Sequence, residues 1–472
     1  MVVSYLVVFN NVFGAGDQKE QLTTPCRDRA VAKYDATMFS KAELYAKANN
    51  YEKACNLLSE IIFQDPFNEK AGKLRDACAR KIAGDSKDEV KEINEKILKD
   101  CDIKIRKAVL EEFPTVVDEA IAQKRFTDAV YWIRFTCSKT EILSPEPALT
   151  ADAKTILKKL RKSLSELAKA KAYWQMLAVA KKLRTPDDKG NDEEIDKLIA
   201  TAEKATEAER TKRNEEIEKA RGDHIQREAG EFLYWMALPE GYEIGEKSVP
   251  YPVIISVTGS GAQYEQELQS WTNSFRGRGY IFVAPVTTSN TNGQGMKFYP
   301  KFSGNAIAFD HKGITKLLED LENLFGADRE RFFITGFSGG GTYAYFATMR
   351  DIGRWRASAP RNPNYYPQNW AGGPMKQLPK SEIYLPVHIF TSEKDEYKEC
   401  IRDPKVPGIE PQTKNACAAL NGMHFACVLR TEVPGVTHNE SPKYYDQIFN
   451  WFDKVIAGTQ VSGESPNYWP KK

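Results

Sequence analysis

Two different patterns of hydrophobic and polar residues divide the chain near residue 225. Before that point apolar residues recur at helical spacing among charged ones, and only six of the 30 Gly and six of the 24 Pro occur there. Beyond it, short apolar runs bounded by Gly and Pro alternate with helix-length amphipathic segments. The pattern predicts an all-α first half, an array of helical hairpins, followed by an α/β domain with a mostly parallel sheet and flanking helices.

We divide the chain into five segments on this basis. The stretch from 191 to 228 is strongly charged, with acidic and basic residues three and four apart, which is typical of a solvated linker helix. The predicted order is a signal peptide at 1–16, a helical domain at 17–190, the linker helix at 191–228, the α/β domain at 229–460 and a C-terminal tail at 461–472.

The first 16 residues carry no charged side chain. They contain an apolar run from Val2 to Phe9 and end in Gly14-Ala15-Gly16, so they resemble a secretory signal peptide that lacks a basic start. We therefore expect export to the periplasm or the medium. A cytoplasmic protein with a mis-assigned start, or with an apolar strand here, is the alternative.

Composition excludes several classes of protein. The 67 Lys and Arg nearly balance the 65 Asp and Glu, so no electrostatic footprint for nucleic acid is present. A composition of 41% hydrophobic residues argues for a core and against spanning helices. The eight cysteines form no C-x-x-C motif, so we expect neither a zinc site nor another cofactor. Cys400 with Cys417 or Cys427 is the one disulfide considered, with buried thiols as the alternative.

The helical half contains a degenerate repeat. The segment Asn49–Ala54, followed by Leu58, Ile61 and Pro66, resembles the second helix of a tetratricopeptide-like hairpin. Weaker matches are Lys124–Ala129 and Ala172–Trp174. Arrays of this kind bind peptides or other domains, so we expect a protein partner, although an ordinary helical bundle with alanines in its core would show the same pattern.

One motif of the second half carries chemistry. The predicted strand Arg331–Thr335 runs into Gly336-Phe337-Ser338-Gly339-Gly340 and then into a predicted helix, Thr342–Met349. A strand, G-x-S-x-G, helix order is the context of a nucleophile elbow, in which a tight turn exposes the serine at the carboxyl end of the sheet. A phosphate-binding loop would supply a lysine that this segment lacks. The sequence therefore predicts Ser338 as a nucleophile.

The region from about 231 to 458 resembles the α/β-hydrolases. Within them, Leu238-Pro239-Glu240-Gly241-Tyr242 and the strand Pro252–Val257 are similar to the opening of esterases of the polyhydroxybutyrate-depolymerase and feruloyl-esterase type. Those esterases have His-Gly-Gly after that strand, where this chain has Thr258-Gly259-Ser260-Gly261. The resemblance implies a serine hydrolase acting on an ester, without a cofactor.

A serine nucleophile needs a general base and a carboxylate that orients it. The chain has five histidines, and His438 alone occupies the loop after the last predicted strand, where the hydrolase fold presents its histidine. The acid should precede it in the chain, after the penultimate strand. Asp395 follows the strand-like run Val387–Phe390, and Glu393 and Glu396 are the alternatives.

The transition state of acyl transfer also needs backbone N–H donors. Gly339, directly after Ser338, should supply one. Ser260 or Gly261, in the loop 259–261, should supply the other, and the missing side chain of Gly261 would allow the backbone to approach the substrate closely. The alternative for this loop is a plain strand-to-helix turn.

Substrate and role remain open at this stage. The polar, aromatic segment 361–373 predicts either a cap over the site or a packed surface loop. A peptidase or thioesterase would share the same fold and triad. An inert hydrolase domain whose helical array does the work is an alternative of a different class, and an intact set of Ser338, His438 and Asp395 argues against it.

Overall fold

A computed structural model describes residues 25–84, 88–140, 150–180, 183, 189–243, 250–261, 263–289, 305–367, 370, 382–401 and 403–459. The expected signal peptide at 1–16 and the tail at 461–472 lie outside these residues.

The first half is an array of helices that pack on one another in hairpins. The first helix packs on the second and the fourth, and the fourth also packs on the fifth and sixth. A shared apolar core runs through the array and buries alanines at the closest approaches. The helices are α1 Pro25–Lys47, α2 Tyr51–Gln64, α3 Glu69–Ala83, α4 Glu95–Ala122, α5 Phe126–Thr140, α6 Thr150–Lys169, α7 Tyr173–Ala180, α8 Lys189–Ala205 and α9 Glu207–Gly222.

The three segments that resemble a repeat share one turn. Asn49, Lys124 and Lys171 each have a left-handed φ, between 57° and 62°, two residues before a helix begins. In each turn the next N–H donates to a carbonyl five residues earlier, as in a helix-ending Schellman turn. The small residues Ala54 and Ala129 are completely buried, as their positions in the pattern predicted. The assignment to the tetratricopeptide class stays a prediction.

The charged stretch is not the single solvated linker helix that we expected. It forms the two helices α8 and α9, and each buries an apolar stripe in a different core. Ile195 and Ile199 of α8 belong to the core of the array. Ile217 and Ala220 of α9 belong to the core around the sheet. The boundary between the two cores therefore falls between α8 and α9. A few apolar residues among many charges are enough to pack each helix against its core.

The second half is built on an eight-stranded, mostly parallel sheet. The strands lie in the order β1-β2-β4-β3-β5-β6-β7-β10, with β2 antiparallel to both of its neighbours and the rest parallel. This is the strand order of the α/β-hydrolase fold. The strands are β1 Ile225–Ala229, β2 Phe232–Ala237, β3 Tyr251–Val257, β4 Ile281–Pro285, β5 Ala327–Gly336, β6 Ala357–Ser358, β7 Val387–Ser392, a separate hairpin of β8 Cys400–Ile401 and β9 Asp403–Pro407, and β10 Val428–Val433.

Helices connect the parallel strands and cover the sheet. The central strands β3 and β4 are almost completely buried and, apart from Ser256, mainly apolar, as expected of strands covered on both faces. The sheet begins at Ile225, a few residues before the predicted boundary at 229, because β1 pairs with β2 through a tight turn. The helices are α10 Tyr264–Phe275, α11 Ala306–Phe325, α12 Gly341–Arg350, α13 Ile409–Gly422 and α14 Tyr445–Ile456.

The helical array packs against the amino-terminal end of the sheet. Arg329, near the start of β5, contacts Asp128 of α5, with 2.6 Å between Nη1 and Oδ1. Arg356, directly before β6, donates from Nη1 to the Ser59 carbonyl at 3.0 Å. Tyr384, three residues before β7, is buried in the core of the array. The carboxyl ends of the same strands are therefore left to the loops that carry the candidate site.

Candidate active site

Ser338 lies in a sharp turn between β5 and α12. Its φ of 49° places a non-glycine residue in the left-handed region, which is a strained conformation for a residue with a Cβ. The turn is a single 3₁₀ turn, Ser338–Gly340, and Ser338 is half-buried. A conformation of this kind projects the serine side chain outward from the sheet edge.

Two glycines make this turn sterically possible. A Cβ on Gly336 would lie 2.4 Å from the Gly340 carbonyl oxygen. A Cβ on Gly340 would lie 2.3 Å from the Val257 carbonyl oxygen of the neighbouring strand. Because backbone atoms crowd both positions, neither accepts a side chain without moving the strand or the helix.

His438 and Asp395 are hydrogen bonded at the same edge of the sheet. His438 Nδ1 lies 2.7 Å from Asp395 Oδ2, and both side chains are at most 5% exposed. Asp395 comes three residues after β7 and His438 five residues after β10. These strands are parallel neighbours, so their carboxyl ends bring the two loops together. The backbone N–H of Tyr397 donates to the other oxygen of Asp395 at 2.8 Å.

The two alternative carboxylates have other partners. Glu393 accepts a hydrogen bond from the Gly435 N–H at 2.7 Å. Glu396 accepts one from the backbone N–H of His438 at 3.2 Å. Both therefore hold the loop that carries His438, whereas Asp395 is the carboxylate that contacts the imidazole.

Aromatic rings place the imidazole next to the serine turn. Phe337, directly before Ser338, packs against His438 with 5.0 Å between ring centroids. Tyr397 contacts the same ring edge-on at 4.9 Å. The structure thus brings together the loops of all three predicted catalytic residues.

The loop after β3 passes beside the serine at Gly259. A Cβ on Gly259 would lie 3.4 Å from Ser338 Cβ and 3.0 Å from the Phe337 ring. Ser260 and Gly261, the predicted oxyanion donors, occupy an exposed turn just beyond. Gly339, the middle residue of the turn Ser338–Gly340, is buried. Gly259 thus lies beside Ser338, although the sequence had pointed to it only as part of the loop.

A buried ion pair under the site was missed in the sequence. The Arg361 guanidinium is completely buried, and it pairs with Glu267 and donates to Ser256 Oγ at 3.0 Å. Its Nη1 donates to the Tyr445 hydroxyl at 2.7 Å. Burial disfavours the charge, but Glu267 together with Tyr445 and Tyr444 outweighs burial, and the pKa of Arg361 lies above its usual value. The partners are some 90 residues apart, so no local pattern could reveal the pair.

The segment 361–373 is packed rather than raised over the site, as far as the described residues 361–367 and 370 show. Trp370 is 4% exposed, and its ring contacts Phe346 and Tyr365 at 5.7 Å each. The Tyr365 backbone N–H donates to the Gln412 side chain. These residues favour the packed-loop interpretation over an aromatic cap.

The other four histidines have structural surroundings. His388 stacks on Phe390, and burial lowers its pKa to about 3. Burial also lowers the pKa of His311, which lies beside Asp351. His224 lies between two surface carboxylates, and His424 ends a helix with a left-handed φ.

The described part of the chain bears on three further expectations of the sequence. There, no group of three or more His, Cys, Asp or Glu side chains is arranged to hold a metal ion. None of the helices described is long and apolar enough to cross a membrane. Among the cysteines, all of which are described, no disulfide links any pair, including the one considered at Cys400.

Comparisons with known proteins return similarity in structure alone. No family model matches the sequence, and no curated protein matches it. Solved structures that resemble it include S-formylglutathione hydrolase from Agrobacterium tumefaciens, at 14% identity and a TM-score of 0.37, over 49% of this chain and 94% of the other. A thermostable esterase matches at 17% identity, a TM-score of 0.35, and 50% and 64% coverage. Acylaminoacyl peptidase from Pyrococcus horikoshii matches at 18% identity and a TM-score of 0.35, over 52% of this chain and 42% of the peptidase.

These structures cover about half of this chain, and the chain spans less than two thirds of the thermostable esterase and of the peptidase. With TM-scores below 0.5, these matches carry no argument about this chain. The class that the strand order defines is the α/β-hydrolase fold, here preceded by a helical array.

Proposed function

We propose that the protein is a serine hydrolase that cleaves an ester through an acyl-enzyme on Ser338. The observation that carries the proposal is the buried 2.7 Å hydrogen bond between His438 Nδ1 and Asp395 Oδ2, formed beside the strained serine turn. A buried carboxylate on Nδ1 fixes the imidazole tautomer that leaves Nε2 free to accept a proton. This is the arrangement that an otherwise weak hydroxyl nucleophile requires.

The reaction follows from these roles. His438 takes the hydroxyl proton as Ser338 Oγ attacks the ester carbonyl carbon. The electron pair of the double bond moves to the carbonyl oxygen, which becomes an oxyanion. His438 then protonates the leaving alkoxide as the ester bond breaks. Water, deprotonated by His438, attacks the acyl-enzyme, and Ser338 leaves with the proton. Asp395 stabilises the imidazolium that forms in both halves.

The oxyanion would be held by backbone donors. We assign one N–H to Gly339 and the other to the loop 259–261, where Ser260 and Gly261 were predicted. The contact between Gly259 and Ser338 supports the placement of this loop at the reacting carbonyl. A donor of this type contributes about 3 kcal/mol to lowering the barrier.

The choice of an ester as substrate rests on the resemblance to esterases. The helical array is proposed separately to dock a protein partner through its tetratricopeptide-like surface. A peptidase or thioesterase would use the same residues, and an inert domain with a working array would use none of them. No cofactor is required by the mechanism.

Active-site labelling tests the proposal. A fluorophosphonate probe reacts with activated serines, and the labelled peptide identifies the residue by mass spectrometry. We expect labelling at Ser338 in the full chain, and loss of labelling in Ser338→Ala and His438→Ala. Ser270→Ala and His224→Gln are matched controls and should leave labelling intact, since Ser270 Oγ donates to the Gln266 carbonyl of its own helix and His224 pairs with Asp223 and Glu265.

The same experiment separates the alternatives. A folded protein that is not labelled at Ser338 would contradict the proposal and favour the inert domain. If labelling occurs, hydrolysis of p-nitrophenyl esters, acyl thioesters and peptide anilides is compared. Faster turnover of peptide anilides than of esters would contradict the esterase proposal and favour a peptidase.

A further inference from the structure

The segment that follows β6 holds the candidate nucleophile from both sides. The backbone N–H of Ser338 donates to the Arg361 carbonyl at 3.0 Å. The backbone N–H of Asn364 donates to the Ser338 carbonyl at 2.8 Å. Both backbone polar groups of Ser338 are therefore bonded to a stretch of four residues from a different strand.

Asn362 lies between these two contacts and reaches the other two loops of the site. Its side chain is completely buried, and Nδ2 donates to the carbonyl oxygen of His438 at 3.0 Å and to Ser392 Oγ at 2.9 Å. Its Oδ1 accepts from the backbone N–H of Ser392 at 2.8 Å. Ser392 ends the strand whose loop carries Asp395.

Asparagine has the chemistry that this position needs. Its φ is 39°, in the left-handed region, which asparagine tolerates better than most residues with a Cβ. The side chain must also donate two hydrogen bonds and accept one within a short reach, and an amide does both. Aspartate would keep the acceptor and lose both donors, and glycine would keep only the backbone conformation.

Resting on the proposed function, we propose that Asn362 is a positioning residue of the active site. It ties the His438 loop to the Asp395 loop, while the backbone groups of Arg361 and Asn364, in the same segment, fix Ser338. The three candidate catalytic groups come from three separate loops, so their relative placement depends on a side chain that contacts more than one of them. Loss of that side chain should slow the chemical step and leave binding of the acyl group unchanged.

The test measures fluorophosphonate labelling kinetics of the full chain as a function of probe concentration and pH. Asn362→Gly should lower the maximal labelling rate constant by about 10- to 100-fold, with the half-saturating probe concentration changed by less than about twofold. Asn362→Asp should also slow labelling. In addition it should shift the midpoint of the pH profile upward, because a buried negative charge beside His438 favours the imidazolium.

Asn49→Gly is the matched control. Asn49 is also an asparagine with a left-handed φ, 62°, whose side chain bonds the backbone of Glu89, but it lies in the helical array. Its replacement should leave both kinetic constants and the pH midpoint unchanged. Circular dichroism confirms that each variant is folded at the assay temperature.

The outcomes keep the two proposals apart. Absence of Ser338 labelling in the wild-type chain overturns the proposed function. Normal labelling of the wild-type chain and of folded Asn362→Gly, at the same rate, overturns the positioning role alone. If Asn362→Gly does not fold, the pH midpoint of Asn362→Asp decides, and an unshifted midpoint with an unchanged rate contradicts the role.

Discussion

Asp35 is a carboxylic acid buried in the helical array, and the nearby charge of Arg27 offsets its burial only in part. It is 4% exposed, and its Oδ1 has no hydrogen-bond partner among the described residues. Burial, reinforced by the charge of Asp65, raises its pKa to about 8. The unfolded value is about 3.9, so the native state binds a proton that the unfolded state releases between these pH values. Stability should therefore fall as pH rises from about 4 to about 8.

Asp35→Asn removes this dependence because the amide does not titrate. We expect the variant to be more stable than the wild type by at least about 1 kcal/mol at pH 8, with the difference shrinking toward pH 4. Urea unfolding across this range measures it. Asp28→Asn, on the exposed part of the same helix, is the control. Parallel pH curves for Asp35→Asn and the wild type would contradict the prediction.

At the scale of residues, the sequence indicates the candidate catalytic groups better than the residues that hold them in place. Ser338 has a motif, and His438 is distinguished by its loop among five histidines. Arg361 and Asn362 have neither kind of signal, since their partners lie on other strands and helices. The pairing of Asp395, rather than Glu393 or Glu396, with the imidazole also depends on a difference of one or two residues in a loop.

At the scale of elements, Lys124 lies in the turn between α4 and α5 and has a strained backbone conformation. It is exposed, and its φ is 58°. A residue with a Cβ pays about 1–2 kcal/mol in this region. Glycine does not, although it loses more backbone freedom on folding. We expect Lys124→Gly to raise the free energy of unfolding by roughly 0.5–1 kcal/mol in chemical denaturation.

A second substitution at the same position separates the backbone effect from loss of the lysine. Lys124→Ala keeps the Cβ and removes the charge, so it should give no gain. Equal stability of the alanine and glycine variants would show that the left-handed conformation is not the cause. Lys171→Gly should repeat the gain, because the turn before α7 has the same hydrogen-bond pattern.

Elements were predictable where one physical rule dominates. The strand–turn–helix around Ser338 follows from glycines and apolar runs, and the structure has it at β5 and α12. The region 191–228 was less predictable because its charges conceal the apolar stripe of each helix. Which core receives Ile199 and which receives Ile217 depends on tertiary packing that composition does not carry.

At the scale of the molecule, the contact between the array and the sheet was not foreseeable from the sequence. The array was expected as a module behind a solvated linker, but it shares buried polar contacts with the sheet. Tyr131 of α5 donates to Glu330 at 2.8 Å, and Gly72 of α3 lies so close to the Tyr384 ring that a Cβ would be 2.1 Å from it. These contacts lie at the sheet end opposite to Ser338, so the array supports the candidate site without covering it.

Arg329 is the charge at the centre of this interface. It is 18% exposed and lies between Asp128 of the array, at 2.6 Å from Nη1, and Glu322 of α11, at 2.9 Å from Nε. Removal of one partner leaves buried carboxylates without their cation, which costs about 3–5 kcal/mol. We expect Arg329→Met to lower the free energy of unfolding by this amount at pH 8. Arg331→Gln, whose pair with Asp328 is more exposed, should cost at most about 1 kcal/mol.

The pH dependence of Arg329→Met identifies the cause. Burial already raises the pKa of Glu322 above its usual value, and loss of the guanidinium should raise it further. A carboxyl whose pKa is raised in the native state makes the protein less stable as pH rises. The loss in free energy of unfolding caused by Arg329→Met should therefore be small near pH 5 and full at pH 8. The further change Glu322→Gln should recover part of the loss at pH 8. Ser338 labelling should persist in the variant below its unfolding temperature, because the interface lies at the amino-terminal end of the sheet. A deficit that does not depend on pH would contradict unpaired carboxylates as its cause. Loss of labelling in the folded variant would show that the array acts on the site rather than only supporting the sheet.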